Sequence, residues 1–201
     1  MWDYGDLRVT LTSNYSWNWD DTGNGISQHT IIWTPVAQGG MRSLGSVCLG
    51  QGFFELGNQR ASLLVGNNPS STSSRPAVAS PVGWTWCWNP KGQGGKHDGT
   101  ICRPIAPDGY VALGDVAQYL WDQPSLSTIW CLRADLVQDA TFEGNNIWND
   151  QGSGGDWDVS CWSVVPRPVG TSGSEKLPIF ADTFRYNGAY ARPDLSLAAG
   201  P

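Results

Sequence analysis

One spaced frame, W-[DN]-x-x-G-[NQS]-G, occurs three times in this chain and constrains its fold more than any other feature. It reads Trp19-Asp20-Asp21-Thr22-Gly23-Asn24-Gly25, then Trp88-Asn89-Pro90-Lys91-Gly92-Gln93-Gly94, then Trp148-Asn149-Asp150-Gln151-Gly152-Ser153-Gly154. The match continues without a gap. Eight residues past the last glycine stand Trp33, Cys102 and Trp162, preceded by Ile32, Ile101 and Cys161. The frames start 69 and 60 residues apart. Agreement in register over such a length marks internal repetition. It predicts three similar sheet units that share one core.

The sequence between the frames has strand character. Leu7, Val9 and Leu11 alternate with Arg8, Thr10 and Thr12, the period of a half-buried strand. Further strands are predicted over 30–34, 44–49, 53–56, 61–65, 84–88, 100–104, 128–133, 159–163 and 179–186, with Gly57-Asn58 as a turn. The alternation at 84–88 would put Trp84, Trp86 and Trp88 on one face. Pro107-Asp108-Gly109 is a turn with a mechanism: proline presets φ and glycine takes the left-handed position. No amphipathic stretch exceeds two helical turns. With 25 glycines, 13 prolines and only 15% charged residues, the chain reads as all-β. The repeats fall at about 7–75, 82–140 and 145–190 of a single domain, 1–201.

A formal net charge of −6 with no basic cluster disfavours nucleic acid, whose backbone is read by Lys and Arg. Charge alone would not hold the chain on an anionic membrane either. The five cysteines form no metal-binding spacing. Cys102 and Cys161 replace apolar residues in the repeat register and read as buried thiols. This usage points to a reducing compartment. Met1 to Asp6 has no secretory signal character, so a cytoplasmic location is expected, with release by another route left open.

Residues 148–162 and 103–116, the latter with its R-P-I-A-P-D-G-Y-V-A-L-G-D core, resemble the vacuolar-protein-sorting-sixty-two-like family. There a W-x-D-x-G-S-G…D-x-S-x-W-R-P run precedes P-x-G-Y-x-x-L-G-D. The resemblance covers about residues 15–186. In the first copy Gln38-Gly39-Gly40-Met41 replaces the P-x-G-Y turn, and the third copy lacks the L-G-D run. The resemblance implies a β-prism: three antiparallel sheets about a pseudo-threefold axis. It implies little about activity, although similar prisms serve as membrane-targeting modules on pore-forming proteins. The loops also resemble those of jacalin-type lectins, whose sugar site has a G-x-x-x-D loop. Gly94-Gly95-Lys96-His97-Asp98 and Gly154-Gly155-Asp156-Trp157-Asp158 have that spacing; in the first copy His29 stands in place of the aspartate.

Sugar recognition in water needs carboxylates that accept from adjacent hydroxyls, since charge-assisted bonds are the stronger ones. It also needs an aromatic face for the pyranose ring. Asp98 and Asp158 are the candidate acceptors, Gly94, Gly95, Gly154 and Gly155 open the loops, and Trp157 is the stacking wall beside Asp156. His97 lines the second loop. Trp19, Trp88 and Trp148 stand at the loop mouths and are further candidates for exposed indoles. The competing reading is that Asp98 and Asp158 bond their own loop N–H groups. Asp20, Asp21, Asp150, Asp156 and Asp158 could alternatively collect calcium, but no loop matches an EF-hand. His29 and His97 read as solvated loop residues outside any dyad, and no nucleophile elbow, H-E-x-x-H or phosphate loop is present. The expectation is a non-enzymatic, lectin-like protein, without cofactor or metal, that binds a glycan and acts in defence. The alternative is an adaptor or targeting module for a membrane surface or a protein partner.

Overall fold

The computed structural model describes residues 1–50, 60–167 and 179–201. Its regular structure is almost entirely short antiparallel strands. Two single 3-10 turns, Ala134–Leu136 and Leu195–Leu197, are the helical segments among the described residues. None is long and apolar enough to cross a membrane. The predicted strand 53–56 and the Gly57-Asn58 turn lie outside the described residues.

Each frame opens a three-stranded unit with the same order. In the first copy Tyr15–Asp20 pairs with Thr30–Pro35, which pairs with Val47–Gly50. In the second, Trp88 bridges Ile101, and Gly99–Cys102 pairs with Val116–Tyr119. In the third, Trp148–Asn149 pairs with Ser160–Pro166, which pairs with Phe184–Asn187. The glycine-rich loop always joins the first strand to the central one. Around these units lie Leu7–Thr12 with Trp2–Tyr4 and Ser62–Asn67, and Cys131–Arg133 between Tyr110–Val111 and Val78–Ala79. Gln138–Phe142, counted with the second copy from sequence, pairs with Ser160–Pro166 of the third and with Ala199–Gly200.

The strand expected over 84–88 is interrupted. Only Gly83–Trp84 is regular, paired with Pro104–Ile105. Its three indoles do not share a fate: Trp88 is fully buried and Trp86 is 54% exposed. The break is a one-residue shift in register between Trp84 opposite Pro104 and Trp88 opposite Ile101, and within it Cys87 is bonded to Cys102 with a Cα separation of 4.3 Å. Cys102 is therefore buried but not a free thiol, whereas Cys161 is a buried thiol as expected. Burial pushes the Cys161 thiol well above its ordinary value, with Cys48 beside it. The bonded pair departs from the thiol reading of the cysteine pattern.

The three frame tryptophans, Trp19, Trp88 and Trp148, meet in the core. Their ring centroids lie 5.4, 5.6 and 6.1 Å apart, each pair edge-to-face. Ile32, Ile101 and Cys161, which share one place in the repeat, pack around them. A second apolar cluster gathers Leu7, Val9, Leu44, Leu63, Val65, Leu113 and Leu132. There Leu44-Gly45 lies against Gly114 so closely that a Cβ on Gly45 would stand 2.8 Å from the Gly114 Cα. Real side chains do not approach that closely, so the contact requires glycine.

The L-G-D run ends on Asp115, which is fully buried and ties the copies together. Its carboxylate accepts from Arg103 Nη2 at 2.9 Å, Arg185 Nη1 at 2.8 Å and the Tyr186 backbone N–H at 2.8 Å. Burial of Arg103 opposes its charge, but the Asp115 carboxylate outweighs that and raises its pKa. A buried pair of this kind is costly to break because each partner would be left as an isolated charge.

Candidate functional site

The frame indoles are fastened in a closed cycle. Trp19 Nε1 donates to the His97 carbonyl at 2.9 Å, Trp88 Nε1 to that of Trp157 at 3.1 Å, and Trp148 Nε1 to that of Gln28 at 3.0 Å. Gln28, His97 and Trp157 each stand three residues past the last glycine of their frame. Every copy thus anchors the loop of the next. Buried indole N–H groups need such acceptors. Trp19, Trp88 and Trp148 are core residues, then, and not the exposed sugar platforms that their polar neighbours suggested.

The loops themselves are shaped by the residues just after these tryptophans. Asp20, Asn89 and Asn149 accept from the backbone two residues on, at 3.0, 3.2 and 3.1 Å. Such short side-chain-to-backbone turns compete well with regular structure. Asp21 and Asp150 reach across the loop to the N–H of Thr30 and Val159 at 3.0 and 2.9 Å. Burial pushes both carboxyls above their ordinary value despite these bonds. Gln93 of the second copy donates to Asp150 at 2.7 Å, and a Cβ on Gly155 would stand 2.7 Å from its Cγ. Gly155 is thus a packing glycine, while Gly154 has the left-handed φ of +75° that its tight turn requires. Among the described residues these are the side chains whose bonds shape the loops.

What remains exposed is the rim where neighbouring copies meet. At the second-to-third junction Trp157 lies edge-to-face with Trp86, 5.2 Å between centroids at 67°. The two rings are 49% and 54% exposed. Asp158 accepts from the Tyr190 hydroxyl at 2.9 Å, and Asp156 pairs with Lys91 at 3.1 Å. Burial and the neighbouring Asp158 carboxylate raise the Tyr190 phenol well above its ordinary value, so it stays protonated as the donor. Trp86 and Tyr190 were not singled out in the sequence reading of the site. The signal for Trp86 was its place two residues before the frame tryptophan, where the first copy also has Trp17.

The first-to-second junction differs. His97 packs edge-on to Trp17 at 5.1 Å, and Trp17 also meets Tyr119 at 5.3 Å. His97 Nδ1 lies 2.9 Å from Asp20 Oδ1, and Trp17 Nε1 donates to Asp20 Oδ2 at 3.1 Å. His97 is therefore a packed, bonded residue rather than a solvated one. His29 likewise sits 3.6 Å from the Asp21 carboxylate. Gly94, Gly95 and Asp98 are exposed, and the Asp98 carbonyl accepts from Leu120 N–H at 3.0 Å. At the third-to-first junction the aromatic positions are taken by Asn146 and Gln28, linked through Asn149.

Gly154, Gly155, Asp156, Trp157 and Asp158 thus gather at one rim, and Gly94, Gly95, His97 and Asp98 at another. They do not converge in a single cavity. Two open grooves, of about 540 and 420 Å³, include none of these nine residues. Among the described residues no group of three or more His, Cys, Asp or Glu is placed to hold a metal. The aspartates considered for calcium are dispersed: Asp150 turns inward, Asp156 faces Lys91 and Asp158 faces Tyr190.

The chain is similar to a solved structure, GNIP1Aa from Chromobacterium piscinae, with a TM-score of 0.68 and 25% sequence identity. The similarity covers 92% of this chain and 34% of that one, so the chain spans about a third of its length. No functionally curated protein matches it. Residues 51–196 match the family model described as vacuolar protein sorting-associated protein 62. That match takes in two of the three frames and the R-P-I-A-P-D-G-Y-V-A-L-G-D segment, and by it the chain belongs to the vacuolar protein sorting-associated protein 62 family.

Proposed function

We propose that the chain is a non-enzymatic, carbohydrate-binding module built as a β-prism with pseudo-threefold symmetry, and that its principal ligand site is the rim between the second and third copies. The observation that carries this reading is the Trp86–Trp157 pair. Two large indoles, each about half exposed, stand edge-to-face at 5.2 Å outside the core. Exposure of that much aromatic surface costs free energy unless something covers it. The apolar face of a pyranose fits a flat indole, and carboxylates beside it accept its hydroxyls. Asp158 and Asp156 flank Trp157 in sequence and are both exposed. Tyr190 fixes Asp158 through Oδ1, which holds the acceptor in one orientation and lowers the entropy lost on binding.

The second-copy loop, with Asp98 exposed and His97 packed on Trp17, is a weaker site on this view. The cyclic anchoring of each loop on the next copy supports the threefold arrangement. A glycan array followed by titration of any hit tests the function, with Trp157→Ala as the comparison; a parent protein that binds no glycan would overturn it. One observation favours a second reading. Tyr119, Leu120 and Trp121 are consecutive and 44, 44 and 48% exposed. An apolar tip of this kind suits the interfacial region of a bilayer. Binding to neutral liposomes, lost in Trp121→Ala and kept in Trp157→Ala, would favour the targeting role over the lectin role.

A further inference from the structure

The disulfide lies next to the exposed indole pair. Trp86 sits in the break between two secured points. On one side Thr85 N–H donates to the Arg103 carbonyl at 2.9 Å; on the other Trp88 and Ile101 exchange both backbone bonds. Between them Trp86 has no strand partner, and what holds it is the Cys87–Cys102 bond together with the Tyr186 hydroxyl, which donates to its carbonyl at 2.7 Å. The other copies show what the bond replaces. Where the second copy has Cys102, the first and third have Trp33 and Trp162, which fill that place with a large side chain. The first copy absorbs its extra residue as a bulge between Trp17 and Trp19. The second shows the same one-residue shift, between Trp84 opposite Pro104 and Trp88 opposite Ile101, and adds a covalent link across it.

We propose that Cys87–Cys102 is a redox-sensitive positioning device for the second-to-third rim: oxidised, it holds Trp86 against Trp157, and reduced, it releases Trp86 and opens the site. This rests on the carbohydrate-binding reading for its ligand, but not for its structural content. Cys87 is partly exposed and Cys102 is buried. A dithiol reductant would attack the accessible Cys87 sulfur as thiolate, and Cys102 would leave as thiolate and take up a proton. The reductant's second thiolate then displaces Cys87, which is protonated in turn. Two electrons and two protons pass to the cysteines, and the reductant becomes a disulfide. The core has fastenings of its own beside the link: Trp88 and Ile101 exchange both backbone bonds, and Arg103, next to Cys102, is paired with Asp115.

The test uses the whole chain, oxidised or treated with dithiothreitol, and counts thiols to confirm a rise from three free cysteines to five. Circular dichroism of the parent minus that of Trp157→Ala isolates the coupled signal of the indole pair. The expected result is that this difference collapses on reduction, and also in a Cys87→Ser/Cys102→Ser double variant, while the strand signal holds and Tm falls only by the several degrees that loss of one short cross-link entails. Glycan affinity, where the oxidised parent binds, should then fall about tenfold or more. A difference signal unchanged in the reduced, folded chain overturns the proposal. So does loss of the whole fold on reduction, because the bond would then hold the core and not the rim. A parent that binds no glycan counts against the lectin reading, and the indole signal still decides the role of the disulfide.

Discussion

Trp88 and Trp86 are two residues apart and belong to opposite parts of the molecule. Trp88 is fully buried, bonded to the next copy and wedged between Trp19 and Trp148. Trp86 is more exposed than not and touches one other half-exposed ring, Trp157. The contrast runs through the whole chain. The frame tryptophans do the same work in all three copies, whereas the rim positions change from Trp17 and His97, to Trp86 and Trp157, to Asn146 and Gln28. The frame loops are anchored alike in all three copies, and the rim is where the copies differ. A site that differs at each junction of a repeated scaffold is the pattern expected of loops that carry function on a rigid frame.

The sharpest break of this comparison is a frame truncation. Trp148→Ala should lower stability by about 3–5 kcal/mol in urea unfolding, through lost packing and an unpaired Gln28 carbonyl. A loss below about 1 kcal/mol would mean that the core does not depend on the ring. Next comes the link between core and rim. Asp115→Ala would strand Arg185, whose side chain is only 4% exposed, and should cost about 3–5 kcal/mol. Because Asp115 also holds the Tyr186 backbone, this variant should disturb Trp86 fluorescence before the global transition.

Rim changes should separate binding from stability. Trp157→Ala should leave stability within about 0.5 kcal/mol, because its backbone carbonyl still serves Trp88, and yet weaken glycan binding at least tenfold, about 1.4 kcal/mol. Asp158→Ala should remove a charge-assisted contact worth on the order of 1.5–3 kcal/mol, with Asp98→Ala costing less and His29→Ala least. Titration calorimetry on the three variants would order them; equal losses would remove the preference for the third loop.

The smallest effect is a pH dependence at the first-to-second rim. Burial pushes the Asp20 carboxyl up, but bonds from Thr22 and the contact with His97 outweigh it, so its folded pKa is below the ordinary value. Its stabilisation is therefore fully present above the unfolded carboxyl pKa and is lost as pH falls through the folded one. Asp20→Asn should differ from the parent at neutral pH and converge with it in acid, read from urea midpoints across that range. A gap that stays constant with pH would show that Asp20 acts only through its turn geometry.

Much of this was legible in the sequence because it is local. The frame repeats announced three like units, Leu7–Val9 has the alternation expected of it although Leu11 is exposed and Thr12 buried, and Gly109 takes its left-handed φ of +76° in the Pro107–Tyr110 turn. The burial of Trp19, Trp88 and Trp148 was not legible. A tryptophan beside Asp or Asn before a glycine loop has the same local pattern whether it faces inward or outward, and only the partner copies decide. The Cys87–Cys102 bond was within reach. An antiparallel pairing of Trp88 with Ile101 puts their outer neighbours opposite each other, but the odd cysteine count and the apolar register of Cys102 argued for thiols. Tyr190 was out of reach, since it comes to Asp158 from beyond the last frame.

The central claim is that the buried tryptophans build the scaffold and the exposed pair binds the ligand. Its most direct test is a glycan array probed side by side with the parent and Trp157→Ala, after matched Tm values have confirmed that both are folded. The predicted result is selective glycan binding by the parent that disappears in the variant. Equal binding by both proteins, or none by the parent, would contradict it.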